Sequence, residues 1–236
     1  KKINLDLKEV KFLLNPYNFT INVTTKEPKI LLEGNQILIK DIRTKISLRS
    51  LIINKFSIND LEIRTQEIKL STLIMLGRSF KNSTELFLLD RFIKDGFLTA
   101  NIKLNFDANG KIKDNYQING SVKNSEFELL KKFNAKNLNF DYEISKNKYT
   151  LKKISVKFND IKLSFPLIEA NEKNNLFLVS GKVETNEKDF DINQLDLLFD
   201  GLVKKLDIEK INLSFINEFS FNINKKFKFN NFKVES

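Results

Sequence analysis

The sequence has no cysteine, no histidine and no tryptophan, and only seven glycines, three prolines and one methionine in 236 residues. Without Cys or His there is no disulfide framework, no thiolate or imidazole metal site and no mechanism centred on either side chain. Carboxylate, Ser/Thr, Lys and Tyr chemistry is what survives. The glycines stand singly at positions 34, 77, 96, 110, 120, 181 and 201, so neither a dinucleotide fingerprint nor a phosphate-cradling loop can be built from them. Nothing approaches the roughly 18 uninterrupted apolar residues of a membrane-spanning helix. The chain opens on Lys1-Lys2 rather than Met, and any signal or anchor is expected to lie outside this fragment. The absence of Cys suits a bacterial cell-envelope protein.

What is present is 41% hydrophobic and 30% charged, enough apolar material for one large domain or two small ones and too much for disorder. The formal charge is +10, from 40 Lys and Arg against 30 Asp and Glu, which first suggests nucleic acid or a membrane surface. Codon usage discounts this. Lys, Asn, Ile and Phe crowd the sequence, with 22 Phe, whereas Ala occurs only at 100, 108, 135 and 170 and Arg only at 43, 49, 64, 78 and 91. That is the pattern of an AT-rich gene, and part of the positive charge follows from it.

Most of the chain alternates apolar and polar residues with period two, as strands with one sheltered and one wet face do. Ile3–Leu7, Asn18–Thr24, Leu98–Asp107, Leu138–Ile144, Ile154–Phe158, Ile161–Phe165 and Phe219–Ile223 are clean cases. Turn residues separate them: Asn109-Gly110, Lys146-Asn147-Lys148, Asn159-Asp160 and Asn174-Asn175. About eleven to fourteen antiparallel strands in a meander are expected, with no parallel crossovers. Two interruptions, at about 71–95 and 191–205, carry helical spacing. The first is a short turn through Leu76 and then a helix from Glu85 to about Lys94, closed by Gly96. The second places Ile192, Leu195, Leu198, Phe199, Leu202 and Val203 on one face.

Two short helices cannot shield the apolar face of a dozen strands. A second sheet, a closed barrel, or a curved open sheet that shelters its own apolar face would each solve the problem. Base rates favour the sandwich, but the inward positions are persistently long aliphatics and Phe, which leans towards the open sheet. The expected fold is therefore mostly β, a long antiparallel meander forming a curved open sheet or groove with two short helical interruptions, as one domain over 1–236.

Catalytic motifs are poor. Asp107-Ala108-Asn109-Gly110-Lys111 starts like a calcium loop but lacks its later ligands, so a hairpin turn is expected. Asp141 and Glu143 read as a solvated face rather than an acid–base pair. Phe and Lys alternate onto opposite faces, and the Lys-Lys pairs at 131–132, 152–153, 204–205 and 225–226 are dispersed, which argues against nucleic-acid binding.

The stretch Ile46 to Ile63 and its continuation Glu67 to Leu73 contain a strand ending in a Ser-Leu break, an I-x-x-L-x-I strand from Ile58 to Ile63, and then a helical segment. This resembles the amino-terminal region of the AsmA-like family of bacterial envelope proteins, to which TamB and YhdP belong. The resemblance implies an inner-membrane-anchored periplasmic protein of a Gram-negative bacterium, whose apolar-lined β-groove holds phospholipid or other membrane lipid and serves outer-membrane biogenesis. It implies no catalysis and no cofactor, and an N-terminal membrane anchor missing from this fragment. The residues expected on the sheltered, lipid-facing side are Phe19, Ile21, Val23, Ile102, Leu104, Phe106, Phe140, Tyr142, Val156, Phe158, Leu163 and Phe165. A structural or interaction β-sandwich that scaffolds envelope-protein assembly is the alternative.

Overall fold

A computed structural model describes residues 3–32, 35–80, 84–129, 133–158, 161–174, 176–185, 190–191, 210–211, 215–224 and 228–235. The strands are β1 (Ile3–Asp6), β2 (Glu9–Asn15), β3 (Thr20–Lys26), β4 (Lys29–Leu32), β5 (Asn35–Ser47), β6 (Ile58–Thr65), β7 (Ile68–Lys69), β8 (Ile93–Asn105), β9 (Gln117–Leu129), β10 (Phe133–Ser145), β11 (Lys148–Phe158), β12 (Ile161–Lys173), β13 (Leu176–Thr185), β14 (Phe190–Asp191), β15 (Lys210–Ile211), β16 (Phe215–Asn224) and β17 (Phe229–Glu235). The helices are α1 (Leu48–Ile52), α2 (Leu70–Phe80) and α3 (Thr84–Phe92).

Fifteen strands form one open sheet in the order β1-β4-β5-β6-β8-β9-β10-β11-β12-β13-β16-β17, with β2 on β3, β3 on β5 and β7 on β8. Neighbours in the order are neighbours in sequence almost throughout, which is the expected meander. Its longest step is β13 to β16, and β14 and β15 pair only with each other inside that step. Of the helix expected at 191–205, Asp191 belongs to β14 and the rest lies outside the described residues. Among the described residues the sheet is one long open antiparallel sheet that does not close into a barrel.

The helix expected to run to Lys94 and close on Gly96 ends at Phe92 instead. Ile93 already starts β8, and Gly96 sits inside that strand at φ 133, its N–H donating to Asp95 Oδ1 at 2.8 Å. Ladder bonds from Phe97 and Leu98 to Lys69 and Ile68 hold this part of the chain extended. Sequence reading also missed α1 as a helix. Ser47 caps it, its Oγ accepting the Ser50 N–H at 3.2 Å, where β5 ends.

The chain divides into two compact units, one of Lys1–Arg91, Phe97–Ser121 and Glu143–Lys146, the other of Phe92–Gly96, Val122–Tyr142 and Asn147–Ser236. In the first, the buried apolar residues include Ile39, Ile68 and, on α2, Leu70, Ile74 and Leu76. Arg78 of α2 pairs with Asp90 of α3 and lies over the Phe87 ring. In the second they include Val122, Ala135, Tyr142, Ile154 and Ile161.

Long strands depart from strict alternation here at residues in the left-handed region. Leu151 and Ile154 are three apart and strict alternation would put them on opposite faces. Lys153 stands at φ 51 between them, and the ladder with β12 keeps one register on either side of it, Lys152 meeting Leu167 and Ile154 meeting Phe165. Asn231, at φ 55, lies between Phe229 and Phe232, where the register of β16 and β17 slips. Asn124 (φ 50) lies between buried Val122 and Ser125, and Asn137 (φ 53) between buried Ala135 and half-buried Leu138. Asn tolerates this left-handed conformation better than most residues, which is why it stands at three of these four positions. The register also slips between Ser164 and Ile168, around Pro166, which has no N–H to give.

Candidate functional site

In the first unit, register fixes the apolar rows. Ile21 faces Ile46, Val23 faces Thr44, and Thr44 faces Leu61, which faces Leu104. Ile42 faces Ile63, which faces Ile102. Ile21, Val23, Ile102 and Leu104 thus share one face of the sheet. Phe106 follows two residues after Leu104, bridges to Ile112 and packs its ring 5.5 Å from Phe56. Ile21, Val23, Ile102, Leu104 and Phe106 are half-buried rather than buried. Phe19 is a correction: it lies in the turn before β3 at φ 52, 56% exposed, so its side chain belongs to a turn and not to the sheet face. The tight β2–β3 connection, held by the Asn15 carboxamide accepting the Tyr17 and Asn18 N–H groups, consumes it.

In the second unit Val156 faces Leu163, Phe158 faces buried Ile161, and buried Ile154 faces Phe165. Phe140 and Tyr142 stand edge to face at 6.5 Å, and burial pushes the Tyr142 phenol above its ordinary pKa. From Phe165 the apolar row continues as a ladder of rings. Phe165 meets Phe219 at 6.4 Å, Phe219 stacks on Phe221 at 6.1 Å, and Phe221 contacts Phe229 at 5.4 Å and Phe232 at 6.2 Å. Such pairs add about 0.5–1.5 kcal/mol each beyond the area they bury. Gly181 makes room for the ladder: a Cβ there would stand 2.7 Å from Phe219 Cζ and 3.0 Å from both Ile168 Cγ1 and the Leu167 carbonyl. The ladder ends in the open, with Phe229 63% and Phe232 67% exposed. Sequence reading placed Phe165 on this row but not Phe219, Phe221, Phe229 or Phe232. The run Phe219-Ser-Phe221 carried the signal for the first two.

The opposite face is polar. In the first unit Asp41, 7% exposed, holds Arg64 through Nη2 at 2.6 Å and Nε at 2.9 Å, with Arg43 at 3.4 Å. The hydrogen bond to Asp41 raises the Arg64 pKa. Asp107 accepts the Asn109 and Lys111 N–H groups, which hold its carboxyl below the ordinary range, and Gly110 sits at φ 78 against the Phe56 ring. This is a hairpin turn, as expected, and not a calcium loop. In the second unit the row Glu169, Ser180, Ser220, Lys233 and the row Lys182, Glu218, Glu235 line a concavity of about 400 Å³. Among the described residues no group of three potential metal ligands occurs, and no helix is long and apolar enough to cross a membrane. Compared with protein-family models, curated proteins and solved structures, the chain matches none.

Proposed function

We propose that this chain is a periplasmic lipid-transfer or outer-membrane biogenesis module that holds phospholipid acyl chains on the apolar face of its sheet. One observation carries the reading: the apolar rows are incompletely sheltered. Among the described residues ten hydrophobic side chains are buried, whereas twenty-three large ones are exposed, and the only other sheet is the two-residue pair of β14 and β15. An acyl chain laid along such rows gains about 0.8 kcal/mol per buried methylene and needs no fixed polar anchor. The rings of the ladder and the lysines of the same unit lie on opposite faces, which does not favour a nucleic-acid platform, since that needs both on one surface. The resemblance of the Ile46–Leu73 segment to the AsmA-like family adds the envelope setting and an anchor in the inner membrane of a Gram-negative bacterium.

Leu104→Asp and Phe221→Asp test the reading. Each places a carboxylate on an apolar row, and each is expected to cut co-purifying phospholipid several-fold while circular dichroism still reports a β fold. A folded, fully lipid-loaded variant would show that the face does not hold lipid.

A scaffold that assists envelope-protein assembly is favoured by a different observation. The edge strand β17 is exposed throughout and presents Phe229, Phe232 and Val234 together with an unpaired edge among the described residues. Crosslinks from β17 to a partner strand, with no lipid recovered, would replace the first reading by this one.

A further inference from the structure

At one end of the first unit, connections that ordinarily carry polar residues carry large apolar ones. Tyr17 is 97% exposed in the turn between β2 and β3, Ile52 is 76% exposed at the end of α1, and Phe19, Leu51, Ile53 and Ile112 are each more than half exposed. Hydrogen bonds set the three connections side by side at the same strand ends. The Leu48 N–H donates to the Phe19 carbonyl at 2.9 Å, the Ser47 N–H to the Ser57 carbonyl at 2.7 Å, and the Phe106 N–H to the Asn59 carbonyl at 3.0 Å. Gly110 of the β8–β9 turn then lies against the Phe56 ring.

Helix α1 shows that these residues do not serve a core. It is five residues long and buries none of them, and a helix that short is not stable by propensity alone. The Ser47 cap and the bond from Leu48 to Phe19 hold it at the sheet end, with Leu51 and Ile52 left in water. The charge around the cluster has one sign in excess. The same three connections carry four exposed cations, Arg49, Lys55, Lys111 and Lys113, against two carboxylates. Asp107 is engaged in its own turn, accepting the Asn109 and Lys111 N–H groups beside the charges of Lys111 and Lys113, and Asp114 pairs with Lys146 of the same unit.

From this juxtaposition we infer that this end of the first unit docks on a bilayer carrying anionic lipid, with Tyr17, Phe19, Ile52 and Ile112 entering the interface and the cations lying among the head groups. Aromatic and aliphatic side chains bracketed by Lys and Arg suit a membrane–water interface, where the apolar parts leave water and the charges meet phosphate. Presented on turns, these residues offer no strand edge for a partner chain to extend. The docking surface is built from turns and not from the apolar rows of the sheet, so it does not rest on the acyl-chain reading.

The test is co-flotation of the full chain with phosphatidylcholine vesicles, with and without phosphatidylglycerol, at low salt and at about 0.5 M salt. Binding to the anionic vesicles is expected, weakened about tenfold or more by Tyr17→Ser/Ile52→Ser, by Arg49→Gln/Lys55→Gln and by the high salt. The control Met75→Ser/Leu89→Ser, which removes exposed apolar residues of α2 and α3, is expected to change it by less than about twofold. Because the chain has no tryptophan, Tyr17→Trp supplies a single reporter, whose emission should shift to the blue on anionic vesicles and be quenched by brominated lipid. No flotation with anionic vesicles, undiminished flotation of Tyr17→Ser/Ile52→Ser, an equal loss in the control, or an unshifted emission of Tyr17→Trp overturns the inference. Self-association without flotation, abolished by the same double variant, would assign the surface to a second copy instead. Phospholipid that co-purifies with a chain unable to float would overturn this inference and leave the acyl-chain reading standing. Should the double variant lose its circular dichroism signal, Tyr17→Ser alone takes its place, with a clear loss expected and undiminished flotation again overturning the inference.

Discussion

Lys153 holds a left-handed backbone conformation, φ 51, that asparagine or glycine adopts at lower cost. Its ion pair with Asp141 spans 3.4 Å between well-exposed groups and contributes little. Lys153→Asn is therefore expected to stabilise the chain by about 1 kcal/mol in urea unfolding; a clear loss of stability would mean that the lysine side chain, and not the backbone, holds this position. Gly181 is the opposite case. Gly181→Ala drives a methyl into Phe219, Ile168 and a carbonyl, and about 1–3 kcal/mol of destabilisation is expected, with perturbed aromatic resonances around Phe219. Tyr142 supplies a pH test. Its folded pKa is raised by burial above the ordinary 10.0, so the stability it contributes is complete below pH 10 and is lost as pH rises through the folded value. Tyr142→Phe is expected to flatten the alkaline fall in stability and leave its acid limb unchanged.

At the scale of the element, the strands that alternate cleanly were legible from sequence, and so were the hairpin turns at Asn109-Gly110 and Lys146-Asn147, where Asn147 sits at φ 59. The left-handed positions within strands were not. Leu151-Lys-Lys-Ile154 and Phe229-Asn-Asn-Phe232 read as lapses in alternation; each holds a residue in the left-handed region, and at the second the register of β16 and β17 slips by one residue. The ladder beyond Phe165 stayed hidden because its first step, from Phe165 to Phe219, joins rings over fifty residues apart in sequence. Local propensity also mistook Ile93–Asp95 for helix because the pairing of β8 with β7 is non-local. Asn139 tests the left-handed positions at Asn124 and Asn137. Asn139→Ala removes both hydrogen bonds that clamp Asn124 and Asn137, and about 1–2 kcal/mol of destabilisation is expected, with faster hydrogen exchange at the Asn124 amide. Unchanged exchange there would show that the backbone holds these positions unaided.

For the whole molecule, the proposed function rests on an open sheet whose Ile, Leu and Phe rows are half-sheltered. The net charge of +10 is spread over the polar rows, where Lys157, Lys162, Lys182 and Lys233 stand. The most direct measurement of the central claim is native mass spectrometry of the purified chain, followed by organic extraction and lipid analysis. Phospholipid bound at a reproducible stoichiometry, and lost from folded Phe221→Asp, is the expected result. A chain that is folded, free of lipid and unable to take up phospholipid from vesicles would contradict it.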